Sequence, residues 1–161
     1  MNKKIVLRNL IVSLTILILL FFLIVSCNES GSNKFGGGEG SISGVLDSTF
    51  GGSGYVVHNN AAGGNDRDFG SSIYVDSNGK IYVTGCSDNG SNVDMVIWRY
   101  DSNGVLDGTF GNNGIVVHHN AAEGNGPDVG NSIYVDSSGK IYVTGWSWNG
   151  SNADMVIWRY K

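Results

Sequence analysis

The sequence predicts an all-β repeat protein, and three observations lead to this fold class. The chain from residue 42 to residue 161 consists of two 60-residue units that align without a gap, and 43 of the 60 aligned positions are identical. Within each unit, short runs of Ile, Val, Tyr and Trp alternate with clusters of Gly, Asn, Asp and Ser, which is the pattern of strands and turns. No helical periodicity follows Cys27. A fixed period of this size marks a repeat architecture.

Each unit is predicted to form four short strands joined by polar turns. The second and third strands are joined by DSNG at residues 76–79, and by DSSG at residues 136–139 in the second unit. Asp favours the first position of a type I turn and Gly the left-handed position that follows, so we predict a tight antiparallel hairpin. In the first unit the predicted strands cover residues 55–58, 72–76, 80–84 and 94–100.

Both faces of the predicted sheets are apolar, since side chains alternate across a strand and neither set is polar. A sheet with one wet face alternates apolar and polar residues, whereas a sheet covered on both sides does not. Four-stranded sheets stacked face to face around an axis are propeller blades, so we predict two four-stranded antiparallel propeller-type blades, at residues 42–101 and 102–161. On the hairpin, one face carries Ile73, Val75, Ile81 and Val83, and the other carries Tyr74 and Tyr82. On the last strand, one face carries Val96, Trp98 and Tyr100, and the opposite face carries Met95 and Ile97.

Several separated segments of each unit match a known repeat in order. The second unit reads LDGTFGNNGIVV, then IYVDSSGKIYVTG, then DMVIWRY. This succession resembles the delta-60 repeat, and its IYVDSSGKIYVTG core is similar to the bacterial SBBP-type propeller repeat. The resemblance covers residues 44–160 and implies a β-propeller architecture. It implies little about activity, because such repeats serve many unrelated functions.

The number of units raises the question of what covers the outer sheet faces. Propellers contain about four to eight blades, and this sequence has two units. Several chains can assemble into one ring, two blades can face each other as a small sandwich, or the chain can be a shortened relative of a longer protein. The sandwich leaves two apolar faces wet and is the least favoured. Self-association to complete a ring is therefore one expected partner interaction.

The N-terminal region has the pattern of an export signal. Lys3, Lys4 and Arg8 precede a long apolar run that ends in LIVSC, with Ser26 before Cys27. This ending resembles the bacterial lipoprotein signal, in which the cysteine is acylated and becomes the first mature residue; a plain signal anchor is the alternative. We therefore expect a lipoprotein-type signal peptide at residues 1–26, a Gly- and Ser-rich tether at residues 27–41, and a membrane anchor on Cys27. The folded part would lie in the bacterial cell envelope, facing the periplasm or the exterior.

Charge and cysteine content exclude some partners. The formal net charge is −4, and removal of the three cationic residues in the signal leaves seven basic against fourteen acidic residues. No basic stripe remains, so nucleic acid is not an expected partner. Cys86 stands alone once Cys27 is acylated, and its counterpart in the second unit is Trp146, so we expect no internal disulfide.

Histidines and aspartates are the residues of this sequence whose chemistry suits a metal ion. Adjacent residues on a strand point to opposite faces, so His118 and His119 do not share an ion, and His58 has no neighbouring ligand at suitable spacing. DSNG and DSSG resemble the opening of a calcium loop, but no Glu closes the loop and turn chemistry explains these residues. We expect neither a metal site nor a cofactor.

No catalytic motif is evident. Asp66, Arg67 and Asp68 cluster in GGNDRDFG, but only Asp68 recurs, as Asp128. A carboxylate at the same place in each unit can cap a turn or line a shared opening, and we favour the capping role; an acid–base pair would need two carboxylates held at a defined separation in a cleft. The sequence lacks the GxSxG nucleophile elbow, and its Gly-rich tether lacks the Lys-Ser/Thr of a phosphate loop. The chain is therefore not expected to be an enzyme.

The second unit differs from the first by a pair of tryptophans. Trp146 and Trp148 replace Cys86 and Asp88. Two residues apart on a strand, the indoles share a face, where they could anchor a protein or sugar partner or pack against a neighbouring blade. The function predicted is non-catalytic binding or scaffolding. The alternatives are an extracytoplasmic propeller-type hydrolase or lyase, and a truncated repeat fragment with no independent activity.

Overall fold

The computed structural model describes residues 44–161, and this part of the chain is entirely β-structure and turns. The predicted all-β class is confirmed. The predicted signal segment, Cys27 and the tether at residues 27–41 lie outside the described residues. The strands are β1 (Asp68–Val75), β2 (Ile81–Asp88), β3 (Val93–Tyr100), β4 (Ile115–His118), β5 (Asp128–Val135), β6 (Ile141–Trp148) and β7 (Ala153–Tyr160).

These strands form two antiparallel sheets, as expected for propeller-type repeats. The first sheet has the order β1-β2-β3-β4 and the second the order β5-β6-β7. No helix within residues 44–161 is long and apolar enough to cross a membrane.

The prediction that the four strands of one unit form one sheet is corrected by the position of β4. This strand belongs to the second unit, yet it pairs with β3 of the first, with Val96 opposite Val117. The second sheet consequently has three strands. Residues 55–58, the counterpart of β4 in the first unit, are not in a strand. A strand there requires the open edge of a preceding sheet, and residues 44–161 contain no such sheet.

The predicted hairpins are present in both units. The Asp76 backbone N–H donates to the Lys80 carbonyl, the Gly79 N–H donates to the Asp76 carbonyl, and Gly79 has a φ of 76°. The Asp76 carboxylate also accepts from the backbone N–H of Asn78 and Lys80, at 2.9 Å each. The aspartate therefore fixes the turn through its side chain, which is the usual role of Asp at this position.

The main core lies between the two sheets. Side chains from one face of the first sheet, among them Met95 and Ile97, are fully buried against the second sheet. The opposing residues of the second sheet are Ile133, Val135, Ile141, Val143 and Trp158. Each sheet thus buries one face against the other. The remaining face of the first sheet carries a smaller cluster of Val96, Trp98 and Tyr100.

Candidate interaction surfaces

The carboxylates that the sequence singled out stabilise loops. Asp68 accepts from the backbone N–H of Asn60 at 2.9 Å, and Asp128 accepts from the backbone N–H of Asn120 at 2.7 Å. Each loop is further held by a serine hydroxyl, from Ser87 or its counterpart, that accepts a backbone N–H. The expected capping role is confirmed, and it explains why this aspartate recurs 60 positions later.

The carboxylate of Asp136, the turn aspartate of the second unit, is hydrogen-bonded within its own turn. The Ser138 hydroxyl donates to the Asp136 carboxylate at 2.7 Å, and the Lys140 backbone N–H donates at 2.9 Å. The Ser138 hydrogen bond and then the Lys140 N–H hold the pKa of Asp136 at about 2. A carboxylate with these partners remains ionised at neutral pH and is not a proton donor.

A charged cluster that the sequence reasoning missed joins the second unit to the first sheet. Asp107 accepts from the Lys80 ammonium at 2.7 Å and from the Arg99 guanidinium at 3.0 Å. The Lys80 hydrogen bond, followed by those of Thr109, keeps the pKa of Asp107 well below its usual range. The signal available in the sequence was the recurrence of LDxTF at residues 46–50 and 106–110.

The three histidines do not converge. His118 packs edge to face on Trp158 with ring centroids 6.0 Å apart, and His58 packs on Trp98 at 5.9 Å. Desolvation lowers the pKa of His58, against the opposing charge of Asp68. Within residues 44–161 no group of three or more His, Cys, Asp or Glu side chains forms a metal cage.

Cys86 and Asp88 of the first unit are replaced by Trp146 and Trp148 in the second. Cys86 lies on β2 and is buried, which raises the pKa of its thiol. Trp146 and Trp148 lie two residues apart on β6, both half-buried. Trp148 packs against the backbone of Gly126, where an added Cβ would lie 2.5 Å from the indole. This intramolecular packing accounts for part of the burial of Trp148.

The outer face of the second sheet is apolar and exposed. Met155 is 71% exposed and Ile157 is 64% exposed, although their counterparts in the first unit are fully buried. Tyr134 is also exposed and meets Tyr74 edge to face at 5.6 Å, where β1 and β5 lie side by side. We call this surface, defined by Tyr134, Met155 and Ile157, the outer face of the second sheet.

The outer face of the first sheet contains a groove. A cavity of about 410 Å³ lies between residues 50–58 and the sheet, with mostly apolar walls. Ile73, on its wall, is 65% exposed, whereas the equivalent Ile133 is buried in the main core. We call this cavity the open groove; its walls include Phe50, Val56, His58, Ile73, Val83 and Trp98.

Comparison with known families gives two matches in the described part of the chain. A family described as a beta-propeller repeat, SBBP, matches residues 61–91 and 122–151. A family described as a beta-propeller domain of unknown function, DUF5122, matches residues 77–110. No curated protein and no solved structure matches the chain. The SBBP matches span β1 and β2 of the first sheet and β5 and β6 of the second, and the DUF5122 match spans β2 and β3.

Proposed function

This chain is an SBBP-type β-propeller repeat protein, and from that premise we propose that it is a non-catalytic binding or scaffolding lipoprotein. It is held by acyl chains on Cys27 to a membrane of the bacterial cell envelope. Its repeats face the periplasm or the exterior. The contacts are made by apolar sheet faces rather than by a polar cleft.

The observation that carries this proposal is the exposure of large side chains on both outer faces. Ile73 on the first sheet and Met155 and Ile157 on the second are each more than half exposed. Contiguous exposed apolar surface on a soluble domain marks a site of interaction. The pattern favours a protein partner with a complementary apolar surface.

The state of the polar groups supports a role without catalysis. Asp68, Asp128 and Asp136 are occupied in loop and turn hydrogen bonds. Asp107 is held by two cations at hydrogen-bond distance. A general acid or base needs a free carboxyl group within reach of a substrate. These carboxylates instead support the backbone.

Mass spectrometry of the mature N-terminus tests the anchor. We expect the mature chain to begin at Cys27 and to carry acyl mass on it, and we expect Cys27→Ser to leave the signal segment uncleaved and unacylated. A mature chain without acyl mass at Cys27 would remove the lipoprotein proposal. The variant serves as the control for adventitious lipid.

Turnover assays test the absence of catalysis. Chromogenic glycosides and esters incubated with the full chain are expected to show no turnover that depends on Asp68 or Asp128. Asp68→Asn is the more useful variant, because Asp68 is half-buried whereas Asp128 is fully buried and its loss affects folding. Turnover that disappears in a folded Asp68→Asn protein would support the hydrolase or lyase alternative.

A further inference from the structure

We propose that the partner of the two open sheet faces is a second copy of this chain, docked head to tail. The outer face of the second sheet of one copy covers the open groove of the next copy. Residues 55–58 of that next copy become the fourth strand of the three-stranded sheet. The proposal rests on the binding role above, since it names what the exposed faces bind.

The interface inside the chain shows that the two open faces are complementary. It joins the Met95 and Ile97 face of the first sheet to the Ile133 and Val143 face of the second. The open faces carry the same residues in the opposite units: Met155 and Ile157 on one, Ile73 and Val83 on the other. A second copy therefore meets a surface that this sequence already packs against.

The open groove has the shape left when the neighbouring sheet is removed. In the second unit, a Cβ added at Gly130 would collide with the Thr84 hydroxyl and lie 3.2 Å from Cγ of Met95, so the first sheet fills the space above this glycine. At the equivalent Gly70 only Val83 lies within 4 Å. Thr144 and Met155 are the counterparts of Thr84 and Met95 and fit the vacant space.

Residues 55–58 already occupy the position of an outer strand. The loop that follows them is fixed as it is after β4: the Ala62 and Ala122 backbone N–H groups each donate to a serine hydroxyl at 2.9 Å. The turn that precedes them matches as well, with Gly54 and Gly114 each donating to a carbonyl four residues back at 2.7 Å. The turn before residues 55–58 and the loop after them thus match those that flank β4, although the ladder is missing.

The missing ladder partner is the free edge of β7. Among residues 44–161 this strand pairs only with β6, and an edge left unpaired there, with apolar residues, is a site for strand addition. The β3–β4 register places Met95 opposite His118 and Val96 opposite Val117. Transferred to the contact between copies, it places Met155 opposite His58 and Val156 opposite Val57.

Charges at the two surfaces also match. Asp107 binds Lys80 and Arg99 inside the chain. Its counterpart Asp47 is exposed and has no salt bridge within residues 44–161. Lys140 and Arg159, the counterparts of the two cations, also have no salt bridge among these residues. Asp47 already accepts from the Thr49 hydroxyl, as Asp107 does from Thr109. Docking brings these three charges together.

The contact is heterologous, because two different surfaces meet. A heterologous contact generates a closed ring when the rotation per copy divides a full turn. Propellers close at about four to eight blades. When each copy contributes the two sheets of residues 44–161, four to eight blades correspond to about two to four copies.

Cysteine crosslinking in the membranes of cells that express the full 161-residue chain tests the register. We expect Val57→Cys with Val156→Cys to form disulfide-linked oligomers. The pair Val57→Cys with Ala153→Cys is out of register and is expected to give several-fold less product. The pair Val96→Cys with Val117→Cys has the same register within one chain and is the control for disulfide formation without oligomers.

Substitutions on the surface of the single chain test the faces and the charges. Ile157→Glu is expected to reduce the crosslinked product several-fold, whereas Val105→Glu, in a connecting loop and 61% exposed, leaves it unchanged. Asp47→Arg and Arg159→Asp are each expected to reduce the product, and the double variant is expected to restore it. Restoration cannot come from a general loss of folding.

The outcomes separate this inference from the proposed function. A monomeric chain in mild detergent, with equal in-register and out-of-register crosslinking, would overturn the second copy as partner and leave the Cys27 anchor standing. In-register oligomers of a chain that carries no acyl group would overturn the anchor and leave the assembly standing. A monomer whose open groove takes up a small apolar molecule also overturns the assembly.

Discussion

The same heptapeptide, DMVIWRY, has opposite environments in the two units. In the first unit Met95 and Ile97 are completely buried, whereas in the second unit Met155 and Ile157 are 71% and 64% exposed. The hairpins show the reverse: Ile133 is buried and Ile73 is exposed. Each sheet therefore buries the face that the other sheet leaves open.

This comparison shows that burial here is decided by position in a stack and not by local sequence. Identical residues in hairpins of identical register gain or lose their cover according to which neighbouring strand and sheet are present. Each unit contributes one sheet face to an interface on either side of it. Its stability therefore depends on neighbours that the unit itself does not contain.

The largest effect is expected from truncating the paired isoleucines. Ile97→Ala leaves a cavity in the main core and should cost about 2–5 kcal/mol of unfolding free energy. Ile157→Ala should cost less than about 0.5 kcal/mol in dilute protein, with a cost that rises with protein concentration as the copies associate. Denaturant unfolding of the full chain in mild detergent, at two protein concentrations, measures both. Equal costs in dilute protein would contradict the comparison.

A second test should affect both units equally. A Cβ at Gly85 would collide with the Phe69 carbonyl, and a Cβ at Gly145 would collide with the Val129 carbonyl. Both glycines face a β-bulge within their own sheet, so each Gly→Ala change should cost about 1–3 kcal/mol whichever face is open. Gly108→Ala is the control, because nothing lies within 4 Å of its added Cβ. A difference between the two bulge variants would show that the sheets are not equivalent internally.

The loss of stability at acidic pH should depend more on Asp107 than on Asp47. The pKa of Asp107 lies below its ordinary value of 3.8, chiefly because of the Lys80 hydrogen bond. Its contribution is therefore present above about pH 4 and is lost as the pH falls through the folded-state pKa. In dilute protein, where the copies are separate, Asp107→Asn should flatten the fall in Tm between about pH 5 and pH 2 more than Asp47→Asn does, because Asp47 in the single chain relies on Thr49 alone. Equal flattening would contradict the role of the cation cluster.

The smallest effect is expected at Tyr160. Its hydroxyl is buried with no hydrogen-bond partner among residues 44–161, and burial raises the pKa of Tyr160 to about 12. Because burial disfavours the phenolate, the folded state loses stability as the pH rises from about 10 towards the folded-state pKa. Tyr160→Phe should flatten this alkaline loss and change the unfolding free energy at neutral pH by about 0–1 kcal/mol, in the stabilising direction. Marked destabilisation would show that the hydroxyl has a partner, for instance in a second copy.

Features that depend on local sequence were predicted correctly. The DSNG and DSSG hairpins form because an aspartate side chain and a left-handed glycine act within four residues. The capping role of Asp68 and Asp128 followed from their recurrence in loops. The membrane anchor on Cys27 remains a prediction. Partner binding by Trp146 and Trp148 also remains a prediction; the structure places both indoles on β6.

Features that depend on long-range pairing were not predicted. The sequence predicts a strand at residues 115–118 but not the sheet that it joins. Backbone hydrogen bonds between strands are the same whether the two strands belong to one unit or to different units. The Asp107 cluster was missed for the same reason, since Lys80 and Arg99 lie in another unit.

The sequence by itself determined the repeat, the strands, the hairpin turns and the presence of two apolar faces on each sheet. Only the tertiary structure decided which face is covered, which strand closes the first sheet and where an edge stays open. The physical reason is that strand propensity and turn chemistry act over a few residues, whereas burial and ladder pairing depend on whatever lies alongside.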